Sequence, residues 1–130
     1  MRIVVDASAV VAILNGEPRS DALVDIVNAA EERLLSAATV VELGMVVESR
    51  SGGRTPVERV LDDFALRLVA VDEKHVRSAL SAWRRFGKGR HPAGLNYGDC
   101  FSYALADVTG LPLLYVGNDF SLTDIASAHN

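Results

Sequence analysis

"RIVVDASAVVAILN" (2–15) decides the fold. Residues 2–5 are a short β-branched run that reads as a buried strand. Asp6 breaks the apolar run. Residues 8–15 then show helical spacing, and Gly16 and Pro18 end it. A strand that passes through an acid straight into a helix opens an α/β arrangement.

The rest of the chain repeats that pattern. Residues 19–30 place Ala22, Leu23, Ile26, Val27 and Ala30 on one helical face. "RLLS" (33–36) is a second strand, and 38–50 an apolar helix broken by "SGGRT" (51–55). Pro56 suits the first position of a helix running on through "VERVLDDFALR". "LVAV" (68–71) is a third strand, 73–86 an amphipathic helix and 87–96 a Gly/Pro loop. Residues 97–110 form a helix with Phe101, Ala104, Leu105 and Val108 inward and Gly110 as its stop. "LPLLYV" (111–116) is a fourth strand, and 121–126 at most a short helix. Strands separated by helices predict an α/β class: one domain over 1–130 with a mainly parallel central sheet covered on both faces. In such sheets ligands bind beyond the carboxyl ends of the strands.

Composition narrows the function. No stretch reaches the roughly 20 uncharged apolar residues of a membrane span. Asp6 interrupts the apolar start, which argues against a leader segment. A single cysteine, Cys100, excludes an intrachain disulfide framework and fits a reducing cytoplasm, with Cys100 itself expected as a small buried residue. The net charge is −4, yet 74–91 holds Lys74, Arg77, Arg84, Arg85, Lys88 and Arg90 and no acid. That leaves seven of the thirteen basic residues to face all seventeen acids elsewhere. Such asymmetry permits a polyanion-facing strip on an acidic protein, although a solvated helix face would also produce it.

Four acids lie where the topology would put a site. Asp6 ends the first strand, and Asp119 follows the fourth. Glu42 and Asp99 are expected in the first turns of their helices. Each has a simpler reading: Asp6 as an N-cap, Thr39 with Glu42 as a capping box, Asp99 as the acid three residues after an Asn96 cap, Asp119 as a turn residue. Their common placement at one rim favours a joint role. Carboxylates so gathered repel one another, and they share protons or recruit a cation. No histidine or cysteine stands at zinc-ligand spacing, so an all-oxygen site suits Mg²⁺ or Mn²⁺. Such ions activate water against phosphodiesters, and the basic strip would hold neighbouring phosphates. Val76, Leu80, Trp83 and Phe86 fall at helical spacing and are expected in the core. His91 has no assigned role.

The blocks "VVDASAVVAIL", "SAATVVELGMV", "FGKGRHPAGLNYGDCFSYALA" and "LLYVGNDFSLTDI", in this order, resemble the PIN-domain ribonucleases, specifically VapC-type toxins of toxin–antitoxin pairs. The third block is the specific one, and the resemblance spans Ile3 to Ile125. It implies a three-layer α/β/α sandwich with an acidic groove. Asp6, Glu42, Asp99 and Asp119 match the family's acids, Ser8 a hydroxyl near the metal-bound water, and Asp124 a less constant polar position for which a helix-cap role is equally open. Metal ligation would fall mainly to Asp6 and Asp99, completed by Glu42 and Asp119. The resemblance further implies Mg²⁺- or Mn²⁺-dependent hydrolysis of RNA, with Arg85, Lys88 and Arg90 toward its backbone. It also implies a homodimer and inhibition by a small cognate antitoxin that places a basic side chain in the pocket. Helices 19–30 and 55–66 are candidates for the dimer interface.

Two other classes fit less well. A phosphoacceptor receiver would want paired acids after the first strand and a lysine near the last, whereas Asp6 stands alone and the lysines are Lys74 and Lys88. A non-catalytic RNA-binding or antitoxin-sequestering module has no need of four intact acids.

Overall fold

In the computed structural model, which describes residues 1–129, four strands form one sheet. They are β1 (Arg2–Val5), β2 (Glu32–Ser36), β3 (Leu66–Val69) and β4 (Leu113–Leu114), in the order β3-β2-β1-β4. Every pairing is parallel, and Val4 lies opposite both Leu34 and Leu113. The connections hold α1 (Ala7–Leu14), α2 (Ser20–Ala29), α3 (Ala37–Arg50), α4 (Val57–Asp63), α5 (Glu73–Phe86) and α6 (Tyr97–Thr109).

The two-residue period of a strand divides the core into two layers. Ile3, Val5, Leu35 and Leu114 point to one face, where α1, α2, α3 and α4 cover them with Val10, Leu23, Leu43 and Val60. Val4, Leu34 and Leu113 point to the other, against Ala82 and Phe86 of α5 and Tyr103 and Leu105 of α6. Burying each large side chain stabilises the fold by about 1.5–3 kcal/mol. The predicted α/β/α sandwich is present. No helix among the described residues is long and apolar enough to cross a membrane.

The structure corrects several local expectations. α4 ends at Asp63, and Ala65 takes a left-handed φ of 49°, so the third strand begins at Leu66 rather than Leu68. Pro56 is the N-cap of α4, in extended conformation, and not its first helical residue. β4 shrinks to two residues: Pro112 has no N–H to donate, serving only as an acceptor for Val4, and Gly117 turns the chain with φ 104°. The last helix is a 3-10 turn at Phe120–Leu122. Val108 is exposed, the inward stripe of α6 running through Tyr103, Ala104 and Leu105. Cys100 is buried, as expected.

The largest correction concerns α5. Its buried stripe is His75, Ser78, Ala79, Ala82 and Phe86. Val76, Leu80 and Trp83 therefore come round to an exposed flank, Trp83 at 42%. Together with Leu95, Tyr97 and Phe101 they line an open apolar groove. By contrast α2 and α4, the expected interface helices, turn Leu23, Val27 and Val60 inward and present mainly polar residues to solvent.

Candidate active site

Asp6 anchors the site. It follows the last residue of β1 and caps α1, so one carboxylate serves both elements. Its Oδ2 accepts from the Ser8 backbone N–H at 3.1 Å and from Ser8 Oγ at 2.6 Å. Ser8 Oγ in turn accepts from Val116 N–H at 3.0 Å, tying the outgoing end of β4 to the same corner. The Oδ1 oxygen accepts from Ser102 Oγ of α6. Because that proton is committed to Asp6, Thr39 Oγ1, at 3.3 Å from Ser102 Oγ, donates to it. Asp6, Thr39 and Ser102 are all buried. A relay from α3 through α6 thus holds a buried charge that would otherwise cost several kcal/mol, about the penalty for an ion removed from water without partners.

Asp99 carries two roles at once. Asn96 and Asp99 form the expected capping box: Asn96 Oδ1 accepts from Asp99 N–H at 2.9 Å, and Asp99 Oδ2 accepts from Asn96 N–H at 3.1 Å. Burial nevertheless pushes its carboxyl up to about 7, against the bond from Asn96 and with help from the charges of Asp6, Asp119 and Glu42. Asp99 therefore lies within the fields of the other three predicted acids. Glu42 is half-buried, and its carboxyl is raised by burial and then by Asp6. Asp119 stands exposed at the head of the 3-10 turn.

Glu42 owes its place to a different mechanism from the predicted one. Ser36, not Thr39, is the N-cap residue of α3, and Glu42 falls in the second turn. The Thr39–Glu42 capping box does not form. Instead both side chains point to α6 from one face of α3, as residues three apart on a helix do, Thr39 to Ser102 and Glu42 to Gly98. Ser102 and Gly98 were not singled out by the sequence and Thr39 was read only as a cap, although Ser102 lies one turn beyond Asp99 and Thr39 one turn before Glu42.

The outlying residues divide. Asp124 does not join the acids: it accepts from Tyr103 OH at 2.6 Å and from Arg85 at 3.0 Å, and those bonds, Tyr103's first, hold its carboxyl below the usual range. Arg85 is accordingly engaged within the protein. Lys88 and Arg90 are exposed, Arg90 lying over the Trp83 ring at 4.1 Å. His91 turns inward, its Nδ1 accepting from Ala93 N–H and its ring edge-on to Phe86.

The donor set is all oxygen and anionic, which fits a hard divalent ion and not zinc. Among the described residues no group of three or more acid, histidine or cysteine side chains is placed to hold a metal ion.

Comparison with known proteins bears on the family and the fold. The model of the family described as the PIN domain matches residues 3–126. Ribonuclease VapC of Mycolicibacterium smegmatis is 49% identical over 129 residues, covering 98% of this chain and 100% of the relative. Ribonuclease VapC30 of Mycobacterium tuberculosis is 46% identical over 127 residues, covering 96% and 97%. Among solved structures, Mycobacterium tuberculosis VapC20, described as a sarcin-ricin loop cleaving toxin, superposes with a TM-score of 0.75 at 18% identity, covering 98% of this chain and 99% of that one. A toxin–antitoxin complex from Klebsiella pneumoniae gives 0.73 at 12% identity, with 98% of each chain covered. At those identities the likeness speaks for the fold alone.

Proposed function

The chain belongs to the PIN-domain family and is a VapC-type endoribonuclease of a toxin–antitoxin pair, and from that premise we propose that Asp6, Glu42, Asp99 and Asp119 form its catalytic centre around Mg²⁺ or Mn²⁺. One observation carries the assignment: the Asp99 carboxyl, raised to about 7 first by burial, also lies in the fields of all three other acids, which arrive from different elements. A bound hard ion would supply Lewis acidity toward the phosphodiester and acidity toward water.

The chain's own residues do the rest. Asp6, fixed through both oxygens, presents its remaining lone pairs in one orientation, and Asp99 does the same from α6. Asp99 can hold a proton at neutral pH and release it as a cation arrives. Glu42 and Asp119 complete the negative field from two further sides. Ser8 keeps the β1 and β4 corners together. Lys88 and Arg90 bind flanking phosphates, while Arg85 and Asp124 secure the segment after β4 against α5 and α6. Hydrolysis joins a water oxygen to phosphorus, breaks the bond to the 3′-oxygen and returns a proton to it, leaving 5′-phosphate and 3′-hydroxyl ends.

The protein works in the cytoplasm as a homodimer, restrained by a small antitoxin that offers a basic side chain to the acids. A cation of either kind competes for the same carboxylates. Cleavage of a looped RNA by wild type and by Asp99→Asn tests the assignment. The variant is expected to fold and bind RNA without cutting it. Wild-type turnover in that variant would remove Asp99 from the centre.

A further inference from the structure

Gly98 is the second residue of α6, between Tyr97 and Asp99. Its φ is not positive, so backbone freedom does not explain a glycine there. Helix propensity argues against one, since alanine is better by up to about 1 kcal/mol. What the position lacks is room. A Cβ on Gly98 would come within 2.9 Å of Glu42 Cδ and 3.0 Å of Oε1, and would overlap Oε2. No backbone atom is among those nearest neighbours.

We propose that Gly98 is a positioning residue: its missing side chain is the seat of the Glu42 carboxylate, and any side chain at 98 expels that carboxylate from the acidic centre. The helices themselves cannot yield easily. Thr39, one turn before Glu42, and Ser102, one turn after Gly98, are joined by a buried hydrogen bond that also carries Asp6. Parting α3 from α6 to admit a methyl would break that relay. Rotating Glu42 costs only a change of rotamer in a half-buried, flexible side chain, so the carboxylate moves and the fold stays. The seat also lies at the N-terminal turn of a thirteen-residue helix, whose dipole favours the negative charge placed there. Moving Glu42 out removes one of the charges acting on Asp99.

The inference rests on the metal reading of the site, and its test separates the two. Mn²⁺ binding to RNA-free protein is measured by calorimetry, alongside thermal melting in chelator, for wild type, Gly98→Ala, Glu42→Ala and the double variant. Gly98→Ala is expected to melt at or above the wild-type temperature while losing about 10–100-fold in Mn²⁺ affinity, the scale for a displaced residue that orients or completes a metal shell. In the Glu42→Ala background the same change should alter affinity by less than about twofold, because residues acting as one unit are not additive. Unaltered Mn²⁺ affinity in Gly98→Ala, an equal loss in both backgrounds, or failure of Gly98→Ala to fold overturns the assignment of Gly98. A wild-type protein that takes up no Mn²⁺ overturns the metal reading, and this inference with it.

Discussion

Replacing Asp99 with asparagine should stabilise the metal-free protein at alkaline pH while destroying its activity. Asparagine keeps the shape and the oxygen that accepts from Asn96 N–H, so the capping box survives. What it removes is a charge the fold disfavours. In the unfolded chain the Asp99 carboxyl ionises near 3.8, and in the folded chain near 7. A carboxyl raised by folding binds its proton more tightly in the native state, so stability is full below the lower value and is lost as pH climbs through the higher one. At about 1.36 kcal/mol per pH unit the gap amounts to about 4 kcal/mol, and partial solvent access reduces it to about 2–3 kcal/mol. For a chain of this size that is a rise in melting temperature of roughly 6–12 °C at about pH 8, shrinking to nothing at about pH 4. The assay is thermal denaturation of wild type and Asp99→Asn in chelator across that range. Excess Mg²⁺ should then stabilise wild type and leave the variant where it was. Equal melting temperatures at every pH would refute the placement of Asp99 among uncompensated carboxylates.

Other residues give independent checks. Ser102→Ala should cost about 1–3 kcal/mol in denaturant titration, the scale for a buried acceptor left short of a donor, and should depress kcat more than it raises KM because Asp6 loses its orientation. Asp124→Asn should cost less than about 1 kcal/mol, since the ion pair with Arg85 is half exposed. Its lowered carboxyl makes that difference present at neutral pH and absent once pH falls through its folded value, which urea unfolding at two pH values will read. Combined Lys88→Ala and Arg90→Ala should weaken RNA binding in chelator and reduce the slope of log affinity against log salt by about 2, measured by fluorescence anisotropy.

How much of this was legible depended on the range of the interaction involved. β1 stands out because a strand buried on both faces must be apolar, as Ile3, Val4 and Val5 are, and α6 because Asn96 and Gly110 mark its two ends locally. β4 was overestimated: an apolar run shows hydrophobicity, whereas ladder length depends on Pro112 and on the turn at Gly117. Trp83 was misplaced because 76, 80 and 83 share a helical face with one another, and only the packing of α5 against α6 decides which face goes inside. The four acids were recognisable from their common position at strand ends and near helix starts. Their supports were harder to see. Ser102 and Gly98 act on residues 96 and 56 positions away in sequence, and no local pattern marks such pairs. The Arg85–Asp124 pair, 39 positions apart, hides in the same way and ties an expected RNA contact to another part of the chain.

The most direct test of the central claim is RNA cleavage against divalent ion concentration. Wild-type protein is stripped with chelator, then titrated with Mg²⁺ on a single-stranded or looped RNA, and product ends are identified. The proposed centre of four carboxylates predicts no turnover without the ion, saturable restoration with it, and no restoration in Asp6→Asn. Cleavage that persists unchanged in chelator would contradict the account.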